Sequence, residues 1–174
     1  MAEQISEVLI NEEEMQAIVA SLAARISRDY ADKHLLLVGI LKGSWMFMAD
    51  LARAVSVPCE IEFVRMSSYR KGTQPGELEI LHDLPTPIED YDVLVVEDIL
   101  DSGKTLSAML KHLSEKNPRS LALCTLLDKP ARRVVPVQAD YVGREIPDAF
   151  VVGYGLDYAE RYRGLPYIGI LSLE

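Results

Sequence analysis

Three acids, Glu97, Asp98 and Asp101, stand close together and run directly into Ser102-Gly103-Lys104-Thr105. The residues before them, 93–96, form an apolar run rich in β-branched side chains, which reads as a strand buried on both faces. The residues after them, 105–115, repeat apolar positions at helical spacing, so 97–103 is expected to be the loop of a strand–loop–helix unit. At such a helix start the backbone N–H groups of 102–105 lack intrahelical acceptors and would face a bound anion, while Ser102 and Thr105 add hydroxyl donors. This is a phosphate cradle. Gly103-Lys104-Thr105 also matches the end of a nucleotide-triphosphate loop, but that pattern needs a glycine where this chain has Asp98, so that reading fails. Acids beside a phosphate repel it unless they accept hydrogen bonds from sugar hydroxyls or meet a metal ion, and Glu97 and Asp98 suit either task. A helix cap would use one acid and leave two unexplained.

Such a bend needs a scaffold. Asn11 followed by Glu12, Glu13 and Glu14 predicts a helix start, and Met15, Ile18, Val19, Leu22 and Ile26 continue it at helical spacing. Residues 35–40 predict a strand, Leu41-Lys42-Gly43 a turn, and 44–54 a helix. A further strand is expected over 61–66 and a mobile polar loop over 67–77. Another strand over 121–127 closes at Asp128-Lys129-Pro130, where proline ends the ladder. Shorter extended pieces are expected at 141–143, 150–154 and 167–173. Strands alternating with helices predict an α/β fold: a twisted parallel sheet flanked by helices on both faces, with its ligand site at the carboxyl ends of the strands. The irregular terminal segments are expected to form a small flap above that edge, and the whole of 1–174 one domain.

Composition narrows the class. A net charge of −9 opposes generic binding to nucleic acid or anionic membranes, which relies on clustered Lys and Arg. The amino-terminal stretch has no basic start followed by an apolar run, and the apolar runs are far shorter than a bilayer span, so a cytoplasmic protein is expected. Cys59 and Cys124 read as buried thiols in a reducing compartment. His34, His82 and His112 share no metal-ligand spacing.

The segment from Val93 to Leu106 resembles the signature of type I phosphoribosyltransferases, and with its flanking motifs the chain resembles their hypoxanthine/guanine branch from Leu36 to the carboxyl terminus. The resemblance implies that Glu97 and Asp98 meet the ribose hydroxyls of phosphoribosyl pyrophosphate. It implies that Asp101 to Thr105 hold the 5-phosphate and that Asp101 is the general base for the purine. Burial of Asp101 near other acids is expected, since that favours a base. Lys42 and Gly43, after a cis bond, and Arg163 would meet pyrophosphate. Lys129 would donate to a 6-oxo group, Phe150 would stack on the purine, and Val151 would read its edge by backbone groups. Leu156 and Asp157 belong to the closing segment, in which Asp157 helps hold Mg²⁺, with Glu97 and Asp98 as its further candidates. Ser68 and Tyr69 resemble the start of a closing lid. The resemblance also implies a dimer or tetramer. A non-catalytic sensor of the same ligand would show a basic face and could dispense with Lys129 and Phe150; an adenine or pyrimidine enzyme would differ at Lys129 and in the closing segment. This acidic chain has both residues.

Overall fold

Asn11 caps the first helix as its pattern predicts: its side chain accepts from the Glu14 N–H while the Glu14 carboxylate accepts from the Asn11 N–H, so two otherwise unpaired donors are satisfied. The computed structural model describes residues 3–68 and 78–173. In chain order these form β1 (Glu3–Ile10), α1 (Glu12–Asp29), β2 (Leu35–Leu41), α2 (Trp45–Ala54), β3 (Cys59–Ser68), β4 (Leu78–His82) and β5 (Asp92–Leu100). They continue with α3 (Lys104–Ser114), β6 (Ser120–Asp128), a single 3-10 turn (Pro130–Arg132), β7 (Tyr141–Glu145), β8 (Val151–Val152) and β9 (Ile168–Leu173).

The main sheet runs β4-β3-β2-β5-β6-β7, with β4 antiparallel to β3 and the other strands parallel. Its central strands show unbroken apolar runs because both faces are covered. On one face Leu35, Leu37, Leu94 and Val96 pack with Met15, Leu22 and Ile26 of α1 and with Phe47 and Leu51 of α2. On the other, Leu36, Val38, Ile40, Val93 and Val95 pack with Leu106, Met109 and Leu113 of α3. Each such side chain removed from water contributes roughly 1.5–3 kcal/mol before entropy is counted.

Strand pairing also opens the site. β2 keeps its ladder with β3 as far as Leu41↔Arg65, and β5 keeps its ladder with β6 as far as Leu100↔Asp128. Between β2 and β5, however, pairing stops at Gly39↔Val96. The chain winds outward to β3 on one side and to β6 on the other, so the gap lies at the topological switch point, where α/β sheets place their ligands.

Several expectations change. Residues 97–100 are strand rather than loop, because β6 continues to pair with them after β2 has diverged. Ser67 and Ser68 belong to β3 rather than to a loop, held by pairing with Glu79 and Leu78 of β4. The flap is not irregular: β1-β9-β8 forms a three-stranded antiparallel sheet that joins the two ends of the chain, and β1 and β4 were not anticipated. Both are largely solvent-facing strands whose apolar alternation is weak, and β1 finds its partner only at the opposite end of the chain. Among the described residues no helix is long and apolar enough to cross a membrane.

Candidate active site

Beyond Leu100 the chain turns sharply into α3. Gly103 takes φ +86, a left-handed conformation that costs a side-chain-bearing residue far more than glycine, and α3 begins at the next residue. The N–H groups of Ser102 and Gly103 have no acceptor among the described residues, whereas the Lys104 N–H donates to Ser102 Oγ at 3.3 Å. Thr105 is exposed beside them. These groups line a pocket of about 280 Å³ together with Gly43, Met66, Asp98 and Asp101. The bend read from the sequence as a phosphate cradle lies in a concavity, and one of its amides, that of Lys104, is partly occupied by Ser102.

Glu97 and Asp98 stand side by side at the divergence of β5 from β2. Glu97 keeps a little exposed surface, yet its carboxyl is enclosed by protein; burial first, then the Asp98 charge, raise its pKa well above the ordinary value. Glu97 Oε1 accepts from the Asp98 N–H at 2.9 Å, and Asp98 Oδ1 accepts from the Ile99 N–H at 2.7 Å. Across the gap, the Leu41–Lys42 peptide bond is cis, and Gly43 lies directly against the Asp98 carboxylate, where a Cβ would collide with it. Gly155, at φ +101, presses in turn on the Gly43 carbonyl. Two glycines therefore let the ends of β2 and β5 and the closing segment converge.

Asp101 does not have the burial expected of it. Its side chain is 50% exposed, because it lies past the end of the sheet on the open rim of the pocket. Its neighbour is Lys129, whose side chain is 8% exposed and whose Nζ lies 3.9 Å from Asp101 Oδ2. The turn that carries Lys129 is tied to β5 by the Lys129 N–H, which donates to the Leu100 carbonyl at 3.0 Å. Phe150 presents a half-exposed ring, with the edge of Tyr158 against it at 5.7 Å between centroids. Val151 and Leu156 are buried, and Val151 is held in β8 opposite Ile170.

The closing segment gathers its charges tightly. Arg163 donates from Nη1 to the Gly155 carbonyl at 2.7 Å, and its Nη2 lies 3.2 Å from Asp157 Oδ1 and 3.4 Å from Glu160. Lys42 Nζ lies 3.0 Å from the same Glu160, whose carboxyl is held below the usual range chiefly by that lysine's hydrogen bond. Lys42 and Arg163 are thus brought together as expected, but around Glu160, which sequence reasoning did not single out. No spacing marks it; Ala159 and Glu160 both have positive φ, and only that backbone path aims the carboxylate inward.

Among the described residues no three His, Cys, Asp or Glu side chains converge on a common point, so Glu97, Asp98 and Asp157 do not form a cage. Glu97 and Asp98 lie next to one another in β5, and Asp157 lies in the closing segment between β8 and β9. Asp157, 3.2 Å from Arg163, fits the way Mg²⁺ binds: one or two carboxylates, several waters and substrate phosphate oxygens. Ser68 ends β3, and Tyr69 lies outside the described residues.

Comparison with known proteins agrees with this geometry. A family model described as the phosphoribosyl transferase domain matches residues 5–159. The chain is 50% identical over 175 aligned residues to hypoxanthine-guanine phosphoribosyltransferases of Staphylococcus epidermidis and Staphylococcus aureus, with 100% of this chain and 98% of each relative covered. A crystal structure of a hypoxanthine phosphoribosyltransferase from Staphylococcus aureus superposes with a TM-score of 0.92 at 50% identity, covering 97% of this chain and 92% of that one. A hypoxanthine-guanine phosphoribosyltransferase from Bacillus anthracis does so with 0.91 at 43% identity, covering 98% and 100%. The family model over most of the chain, and the agreement in sequence and backbone over nearly its full length, mean that the chain belongs to the phosphoribosyl transferase family.

Proposed function

We propose that this chain transfers the 5-phosphoribosyl group of phosphoribosyl pyrophosphate to hypoxanthine or guanine, giving IMP or GMP and pyrophosphate, in purine salvage. One observation carries the reading beyond family membership: the enclosed Lys129 ammonium and the open Asp101 carboxylate face one another above the phosphate bend. An ammonium only donates, so it favours a carbonyl at the purine's position 6 and leaves an amino group there unpaired. A carboxylate next to it can accept the proton that the imidazole ring must lose.

In this mechanism the amides of Ser102 and Gly103, with Thr105 and Lys104 at the helix start, hold the 5-phosphate. Glu97 and Asp98 bond the ribose hydroxyls; the burial that raises the Glu97 pKa favours its neutral form, which can donate as well as accept. Lys42, the Gly43 backbone and Arg163 take the pyrophosphate after Glu160 lets them go. The bond from the anomeric carbon to the pyrophosphate oxygen breaks and a bond to a purine ring nitrogen forms, through a transition state of oxocarbenium character. The ring proton passes to Asp101, and Lys129 stabilises charge on the 6-oxo group. Phe150 stacks on the base, Val151 reads its edge through the backbone, and Leu156 and Asp157 complete the wall. Mg²⁺, when bound, would supply charge neutralisation at the leaving pyrophosphate, and Asp157 would be its carboxylate from this chain.

The decisive assay incubates the purified protein with phosphoribosyl pyrophosphate, Mg²⁺ and one purine at a time. IMP or GMP is the expected product; its absence with every 6-oxopurine would end the proposal. We assign the protein to the cytoplasm, on its two unpaired cysteines, and to a homodimer or homotetramer, which light scattering tests.

A further inference from the structure

We infer that Arg133, which lies outside the pocket, is the positioning residue of the phosphate bend. The inference rests on the proposed role of that bend as the 5-phosphate site. For amides to face inward, the carbonyls between them must face outward, and outward carbonyls without donors leave a bend free to turn over. Here three consecutive carbonyls are each supplied by one segment that follows β6. The Leu100 carbonyl accepts from the Lys129 N–H at 3.0 Å and from Arg133 Nη2 at 3.4 Å. The Asp101 carbonyl accepts from Arg133 Nε at 3.1 Å, and the Ser102 carbonyl from the N–H groups of Val134 and Val135 at 3.0 and 3.2 Å.

The guanidinium is itself locked. Arg133 Nη1 donates to the Val137 carbonyl at 2.9 Å, and Nη2 pairs with Asp128, both side chains being about four-fifths buried. A planar fork with five fixed donors can serve four acceptors at once, and the single ammonium of lysine cannot. The packing is close on the far side as well. A Cβ on Gly103 would come within 3.0 Å of the Val135 carbonyl and 3.2 Å of Arg133 Cδ, so the segment fits directly against the back of the bend. At Leu100 the Lys129 N–H holds the carbonyl at 3.0 Å without help from Arg133, whose own contact there is 3.4 Å, so the fork acts on the phosphate amides rather than on the purine side.

The test compares binding of IMP with binding of inosine, which lacks the phosphate, for the whole protein and the variants Arg133→Lys and Asp128→Asn. Arg133→Lys keeps the charge and loses the fork; IMP affinity is expected to fall about tenfold or more, the scale of a lost charge-assisted bond, while inosine affinity stays within about threefold. The KM for phosphoribosyl pyrophosphate should rise and that for the purine should not. Asp128→Asn leaves the carbonyl bonds possible and removes the counter-charge, so a smaller loss confined to IMP is expected, and it carries the test should the lysine variant fail to fold. Equal weakening of IMP and inosine, or no change in either, would overturn the inference. If the unaltered protein makes no nucleotide with any purine, the functional reading fails separately. Titration with inorganic phosphate, followed by the backbone amide signals of Ser102 and Gly103, then decides on Arg133: shifts in the unaltered protein that Arg133→Lys abolishes uphold it, and shifts that persist defeat it.

Discussion

Asp101 and Glu160 are exposed acids whose removal is expected to act differently. The only ion pair of Asp101 among the described residues is with Lys129 at 3.9 Å, and its half-exposed side chain supports no packing. Asp101→Asn should therefore melt at the same temperature as the parent. Its turnover should fall by about 10²–10⁴, the contribution of a positioned general base, as read from kcat with saturating substrates. Glu160 instead holds Lys42 and Arg163, the cations assigned to pyrophosphate. Exposed ion pairs of this kind are weak, so Glu160→Gln should tighten inhibition by pyrophosphate only about two- to fivefold without lowering kcat. Unchanged or weaker inhibition would mean that Glu160 does not compete with the leaving group.

Two elements cannot approach unless their side chains allow it, and the ends of β2 and β5 meet through Gly43. A methyl group there would collide with the Asp98 carboxylate, on the acid proposed to meet the ribose. Gly43→Ala is expected to leave the sheet intact, because the ladder between β2 and β5 already ends at Gly39↔Val96. It should raise the KM for phosphoribosyl pyrophosphate by about tenfold or more through misplacement of Asp98, which steady-state kinetics with circular dichroism as the folding control will read. A variant with normal KM would show that the Lys42-Gly43 turn can move aside at no cost.

For the molecule as a whole, the enclosed Glu97 ties stability to pH. Burial and the Asp98 charge raise its folded pKa well above the ordinary carboxylate value, so between the two values the native state binds more protons than the unfolded chain. The resulting penalty is absent in acid and grows toward neutrality. Glu97→Gln should thus melt like the parent near pH 4 and higher at pH 7.5, by about 2–4 °C for each kcal/mol removed; equal melting at both would show that Glu97 is ionised in the fold. How much of the molecule was legible beforehand follows from the range of the interactions concerned. Periodicity located α1, α2, α3 and the central strands, since apolar spacing is a local record of burial, and the bend at Ser102 to Thr105 is a local strand-to-helix motif. β1 and β4 escaped notice because both are largely exposed and are held by ladders to partners elsewhere in the chain. Likewise the exposure of Asp101, the capture of Lys42 and Arg163 by Glu160, and the bracing of the bend by Arg133 join segments far apart in the chain. The residue types of the site were therefore set by the sequence itself. Their distances, partners and proton affinities were decided only when the sheet split between β2 and β5 and brought separate loops to one crevice.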